Sequence, residues 1–266
     1  MGGLIAPHTR RIFAALIAAF AFAAVMAVAS ATAPYGAVAK DARALAPAAE
    51  DTSTTTPTPL PSQMATTASG GSQLIVVTCN KLGDTTGTLQ VFNKVGGAWV
   101  STLTAPARLG LHGVMDGKKR KAGNKTTPTG IWAMPSYVFG THKHAPAGTK
   151  MKYRRMDRRS WWSSKHGTTY NKWVEARHWT GEHIRLYTKS YEFAVSIGYN
   201  AKPNPMRYGR GTGIFLHVRG KGLTAGCVAV SRANMIRICK LLDRTKRPHF
   251  AIGTLQPGTS TSIWAY

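Results

Sequence analysis

Between Gln73 and Thr254 the chain is cut into short runs of β-branched and aromatic residues, each bounded by glycine, proline or polar turn residues. "QLIVVTC" (73–79), "GTLQVFNKVGGAWVST" (87–102), "YEFAVSIGY" (191–199), "GIFLHV" (213–218), "CVAVS" (227–231) and "HFAIGT" (249–254) read as strands or strand pairs. Gly96-Gly97 sits at the centre of the second run and permits the positive φ of a tight hairpin turn. "TTPTGIWAMPSYVF" reads as a turn and a strand interrupted at Pro135. Only "RANMIRICKLLDR" has helical spacing, with Met235, Ile236, Ile238, Leu241 and Leu242 on one broad face and Ser231 placed to cap it. Many strands, one clear helix and no internal repeat predict a mainly β single domain over 73–255, a β-sandwich or barrel with one or two helices. Residues 140–190 lack periodicity and read as a long insertion or lid.

The flanks are of another kind. Arg10 and Arg11 precede the uncharged run "IFAALIAAFAFAAVMAVA", and "ATA" follows at 31–33. This order reads as a secretory signal peptide over 1–33, and "TRRIF" faintly resembles a twin-arginine signal. The length of the run leaves an uncleaved membrane anchor as the alternative. Residues 34–72, rich in Ala, Thr, Pro and Ser, read as a disordered linker, and 256–266 as a loose tail.

Charge is lopsided: 35 Lys+Arg against 10 Asp+Glu, a formal net charge of +25. Such a surface favours polyanions. Export argues against nucleic acid and for the cell envelope, with anionic wall polymers as partners. The membrane enters only if the signal stays uncleaved. The basic clusters at 117–125 and 150–162 accordingly read as a solvated face and a capping lid, and Trp161 and Trp162 as packing residues. His142 and His144 lack a nearby carboxylate or thiol, so they read as a surface loop, and no metal or cofactor is expected.

Three cysteines, Cys79, Cys227 and Cys239, leave at least one thiol unpaired within the chain. Cys79 and Cys239 read as buried thiols, or as a pair with each other. Cys227 follows Gly226 and lies ten positions after His217. An imidazole can activate a thiol, and a glycine lets substrate approach. Taken alone, the pair reads as easily as a core cysteine and an unrelated histidine.

"GIFLHV…LTAGCVAV" resembles the signature of the L,D-transpeptidase (YkuD) catalytic domain, and "KTTPTGIW" (125–132), "YEFAVSIGYN" and "AIGT" resemble its other elements in order. The resemblance implies Cys227 as nucleophile and His217 as general base. It implies Gly226 and Cys227 as oxyanion donors, Thr224 as a brace of the cysteine loop, and the Val218 carbonyl as the group orienting the imidazole. It also implies an exported acyltransferase that forms a thioacyl-enzyme from peptidoglycan stem tetrapeptides and passes it to an amine. The chain departs from the commonest form of the motif at Ala225 and Ala229, and in its shorter His-to-Cys spacing. Tyr199 and Arg219, with Lys221, are the remaining candidates for substrate contact. A thiol hydrolase of stem peptides and a non-catalytic basic envelope-binding module are the alternative readings. A sortase-like enzyme needs a wider His–Cys separation and a following arginine.

Overall fold

The computed structural model describes residues 70–263, so the expected signal segment and nearly all of the expected linker lie outside the described residues. The described chain runs β1 (Gln73–Cys79), β2 (Thr86–Val95), β3 (Ala98–Arg108), β4 (Val114–Asp116), β5 (Thr127–Ala133), β6 (Tyr137–Gly140) and β7 (Lys152–Arg155). It continues through β8 (Ser160–Ser163), β9 (Trp173–Glu175), β10 (Gly181–Glu182), β11 (Phe193–Ser196), β12 (Phe215–Val218), β13 (Val228–Val230), α1 (Arg232–Leu241) and β14 (His249–Thr254). The protein is mainly β with one α-helix among the described residues. Eleven strands form one sheet in the order β4-β5-β14-β1-β2-β3-β13-β12-β11-β6-β7, and three form a small sheet, β10-β8-β9.

β1 is apolar almost throughout because it lies inside the sheet, parallel to β14 on one side and antiparallel to β2 on the other. β2 and β3 join through Gly96 and Gly97, at φ +54° and +87°, with Val95 facing Ala98. Two consecutive positive φ values are what a two-residue turn needs to follow the twist of its strands. Pro135 falls between β5 and β6 and ends the first of them. Ser231 caps α1, its hydroxyl accepting from the Asn234 N–H at 3.2 Å. The helix buries Met235, Ile238 and Cys239 against β11 and β12.

Two expectations need adjusting. Residues beyond 256 do not hang loose within the described range: Thr261, Ser262 and Ile263 are buried, and Thr254 N–H donates to the Thr261 carbonyl. The turn at 257–260 folds Ile263 onto the apolar pair Leu74 and Val76, a contact that no local periodicity announces. The 140–190 segment supplies β7 to the large sheet and all of the small one. Its strands are two to four residues long, too short to display a period of two.

The β11–β12–β13 ribbon separates two apolar layers. Val195, Leu216, Val218, Val228 and Val230 face the main core with α1. Ala194, Phe215 and Cys227 belong to a second layer, roofed by Trp162, Trp173 and Ile184 of the insertion. Phe139 is its hub, with ring centroids 5.3 Å from Phe215, 5.5 Å from Trp173 and 6.3 Å from Trp162. Cys79, Cys227 and Cys239 are all buried and all free, so Cys79 and Cys239 do not pair.

Candidate active site

Strand alternation sorts the residues of β12. Leu216 and Val218 enter the main core, so Phe215 and His217 face the insertion. β13 lies parallel to β12, with Leu216 opposite Val228 and His217 opposite Ala229. Paired residues share a face, which puts Cys227, just before β13, on the His217 side and one step back along the ribbon. Parallel neighbours usually need a crossover of a dozen or more residues. Here the compact loop between Val218 and Val228 makes it, and that loop carries the cysteine. Both sheet neighbours of His217, Ala194 and Ala229, are alanines and leave the imidazole room.

His217 is buried, and its Nδ1 lies 2.8 Å from the Val218 carbonyl oxygen. A carbonyl only accepts, so the neutral ring carries its proton on Nδ1 and keeps a lone pair on Nε2. Tyr191 packs edge-on against the ring at 5.4 Å. Burial lowers the His217 pKa from 6.5, and the Val218 bond opposes that only in part.

Cys227 Sγ accepts from the Phe215 N–H at 3.4 Å and donates to the Gly213 carbonyl at 3.5 Å. Burial pushes the thiol up to about 12, with the Phe215 N–H acting the other way. Near neutral pH thiol and imidazole are therefore both uncharged at rest. Thr224 braces the loop: its hydroxyl donates to the Cys227 carbonyl at 2.6 Å and accepts from the Gly226 N–H at 3.1 Å. Of the two expected oxyanion donors, the Gly226 N–H is thus already engaged.

Gly226 has φ +127°, and a β-carbon there would stand 2.6 Å from the Thr126 carbonyl oxygen and 2.8 Å from Arg120 Nη2. Only glycine fits. The "KTTPTG" turn therefore lies directly against the cysteine loop, and Thr127 Oγ1 also comes within 3.4 Å of the Cys227 carbonyl.

A cavity of about 540 Å³ opens onto this arrangement, lined by His217, Thr224, Ala225, Cys227, Arg120 and Glu182 among others. Tyr191 donates to Glu182 Oε1 at 2.6 Å, and burial raises the Glu182 pKa. Asn171 pins the rear of the site. It accepts from Trp162 Nε1 and the Gly213 N–H, and donates to the carbonyls of Tyr199 and Asn200.

His217, Cys227, Thr224, Gly226 and the Val218 carbonyl are thus brought together. Tyr199 and Arg219 are not among the cavity's lining residues. Tyr199 is buried behind Arg120, its hydroxyl donating to the Gly117 carbonyl at 3.0 Å. Arg219 lines a separate cavity with Cys79 and Arg108. His142 accompanies Glu192, which also binds Arg232. Arg120, Glu182, Tyr191 and Asn171 escaped the sequence reading. Arg120 sits inside a basic run that reads as a solvated face. Glu182 carried one signal, its rarity as an acid in a basic chain.

The sequence pattern of the YkuD family, the L,D-transpeptidase catalytic domain, matches residues 86–261. The chain belongs to this family. No curated protein matches the chain.

Proposed function

We propose that the chain is an exported cysteine acyltransferase that remodels peptidoglycan through its stem peptides. The reading rests on one observation above all: the Cys227 thiol and a His217 ring with a fixed tautomer share one face of β12 and β13 and line one cavity. Family membership and the +25 charge support it, since stem peptides and their polymers carry carboxylates. The apolar run near the N-terminus supports export.

In the first half-reaction Cys227 Sγ attacks the carbonyl carbon of a stem-peptide amide as its proton passes to His217 Nε2. The Phe215 N–H steadies the sulfur while it carries charge. The oxyanion forms beside the Cys227 N–H. Its collapse breaks the C–N bond, and the leaving amine takes the proton back from His217, leaving a thioester. An acceptor amine then attacks the thioester and gives His217 a proton, which returns to the sulfur as the new amide forms.

The test is intact-mass analysis after incubation with a stem tetrapeptide, and separately with a carbapenem, for the wild type and Cys227→Ala. A thioacyl adduct on the wild type alone is the expected result, and its conversion to amide should depend on added acceptor. No adduct between pH 6 and 9 would refute the reading. Release by water regardless of acceptor would make the protein a hydrolase.

A further inference from the structure

Arg120 is 4% exposed, and no carboxylate among the described residues forms an ion pair with it. Its Nε donates to the Thr126 carbonyl and its Nη1 to the Arg210 carbonyl, both at 2.7 Å. The Tyr199 ring lies under the guanidinium at 5.5 Å. All of these partners are uncharged. A buried cation without a counter-ion is costly, and proteins seldom keep one without use. The acid in the same cavity wall, Glu182, is occupied by Tyr191.

The position is built rather than incidental. Two glycines at positive φ make room for the fork: a β-carbon at Gly211 would stand 2.5 Å from Nη1, and one at Gly226 would stand 2.8 Å from Nη2. The bonds to Thr126 and Arg210 fix the plane of the guanidinium. It therefore lies in the cavity wall against the residue that precedes Cys227.

We infer that Arg120 is a specificity-determining residue that binds the free carboxylate at the end of the acyl donor, one residue beyond the attacked carbonyl. The inference rests on the acyltransferase reading. One residue of extended chain spans about 3.5 Å, so a carboxylate at that distance from the reacting carbon falls within reach of a guanidinium seated against Gly226. A planar fork also suits a carboxylate better than a single ammonium would. The bound donor would then supply the counter-ion that the free protein lacks.

The experiment uses the full chain and two tetrapeptide donors that differ only at the C-terminus, one a free carboxylate and the other a carboxamide. Thioacyl formation is followed by intact mass. The wild type should favour the acid about 10- to 100-fold in kcat/KM, the usual worth of a charge-assisted hydrogen bond. Arg120→Met should bring that ratio close to one, and Arg120→Lys should restore part of it. A merely structural arginine would slow both donors alike and leave the ratio in place, which overturns the inference. Equal wild-type rates for acid and amide overturn it as well, without touching the acyltransferase reading. That comparison needs no substitution, so it decides even if Arg120→Met fails to fold. No adduct with either donor overturns both.

Discussion

Asn171→Ala strips four hydrogen bonds from one buried side chain. The Trp162 indole N–H and the Gly213 N–H lose an acceptor at 2.6 and 3.0 Å, and the Tyr199 and Asn200 carbonyls lose a donor at 3.0 and 2.9 Å. A buried polar group left unpaired costs about 1–3 kcal/mol, and water re-entering part of the space offsets some of it, so the four together come to about 4 kcal/mol. Asn171 also sits at φ +52°, where alanine pays about 1 kcal/mol more than asparagine. A loss of about 5 kcal/mol lowers Tm by about 10–20 °C in a domain of this size. Differential scanning calorimetry measures it directly. Asn171→Gly, free of the backbone strain, should recover about 1 kcal/mol. Thioacyl formation should fall further than the folded fraction does, because Gly213 presents the carbonyl that receives the Cys227 thiol. A variant melting within about 2 °C of the wild type would refute the reasoning, since it would mean that those groups find other partners at no cost.

Gly226→Ala should abolish acylation and lower Tm, because its β-carbon meets the Thr126 carbonyl and the Arg120 guanidinium; wild-type rates in the acylation assay would contradict that close packing. The acid limb of kcat/KM against pH should have its inflection below 6.5, because a buried His217 gives up its proton more readily than a free one; an inflection at or above pH 7 would show an imidazole stabilised in its charged form. Stability should decline as pH rises above 9. The unfolded thiols lose their protons near 9.0, whereas burial holds Cys79, Cys227 and Cys239 up to about 12, so across that window the folded state binds more protons and stability falls with pH. A Tm unchanged between pH 8.5 and 10.5 would count against three buried thiols.

Strand identity was legible wherever a run was long enough to show its chemistry. β1 and β14 coincide with "QLIVVTC" and "HFAIGT", and α1 with the one stretch of helical spacing and its serine cap. The Gly96-Gly97 turn was legible too, because its backbone angles are a local demand. The cysteine and histidine were legible as a candidate pair through their motif, since the loop that joins their strands is short and contiguous in sequence.

The rest depended on what the fold brings together. Nothing local to β12 or β13 says that they run parallel, and it is that register which sets His217 and Cys227 on one face. Arg120 lies more than a hundred positions before Cys227, in a run that reads as solvent-exposed charge; the fold buries it by bringing Thr126, Tyr199, Arg210, Gly211 and Gly226 around it. Glu182 and Asn171 come from the segment with no periodicity, whose short strands are held by an aromatic cluster around Phe139 rather than by a pattern of their own, and Tyr191 opens the run "YEFAVSIGY", which reads only as a strand. Local chemistry in the sequence therefore determined the elements and the candidate pair. The surroundings of that pair were decided by long-range packing, because burial and charge pairing belong to neighbours in space and leave no periodic mark along the chain.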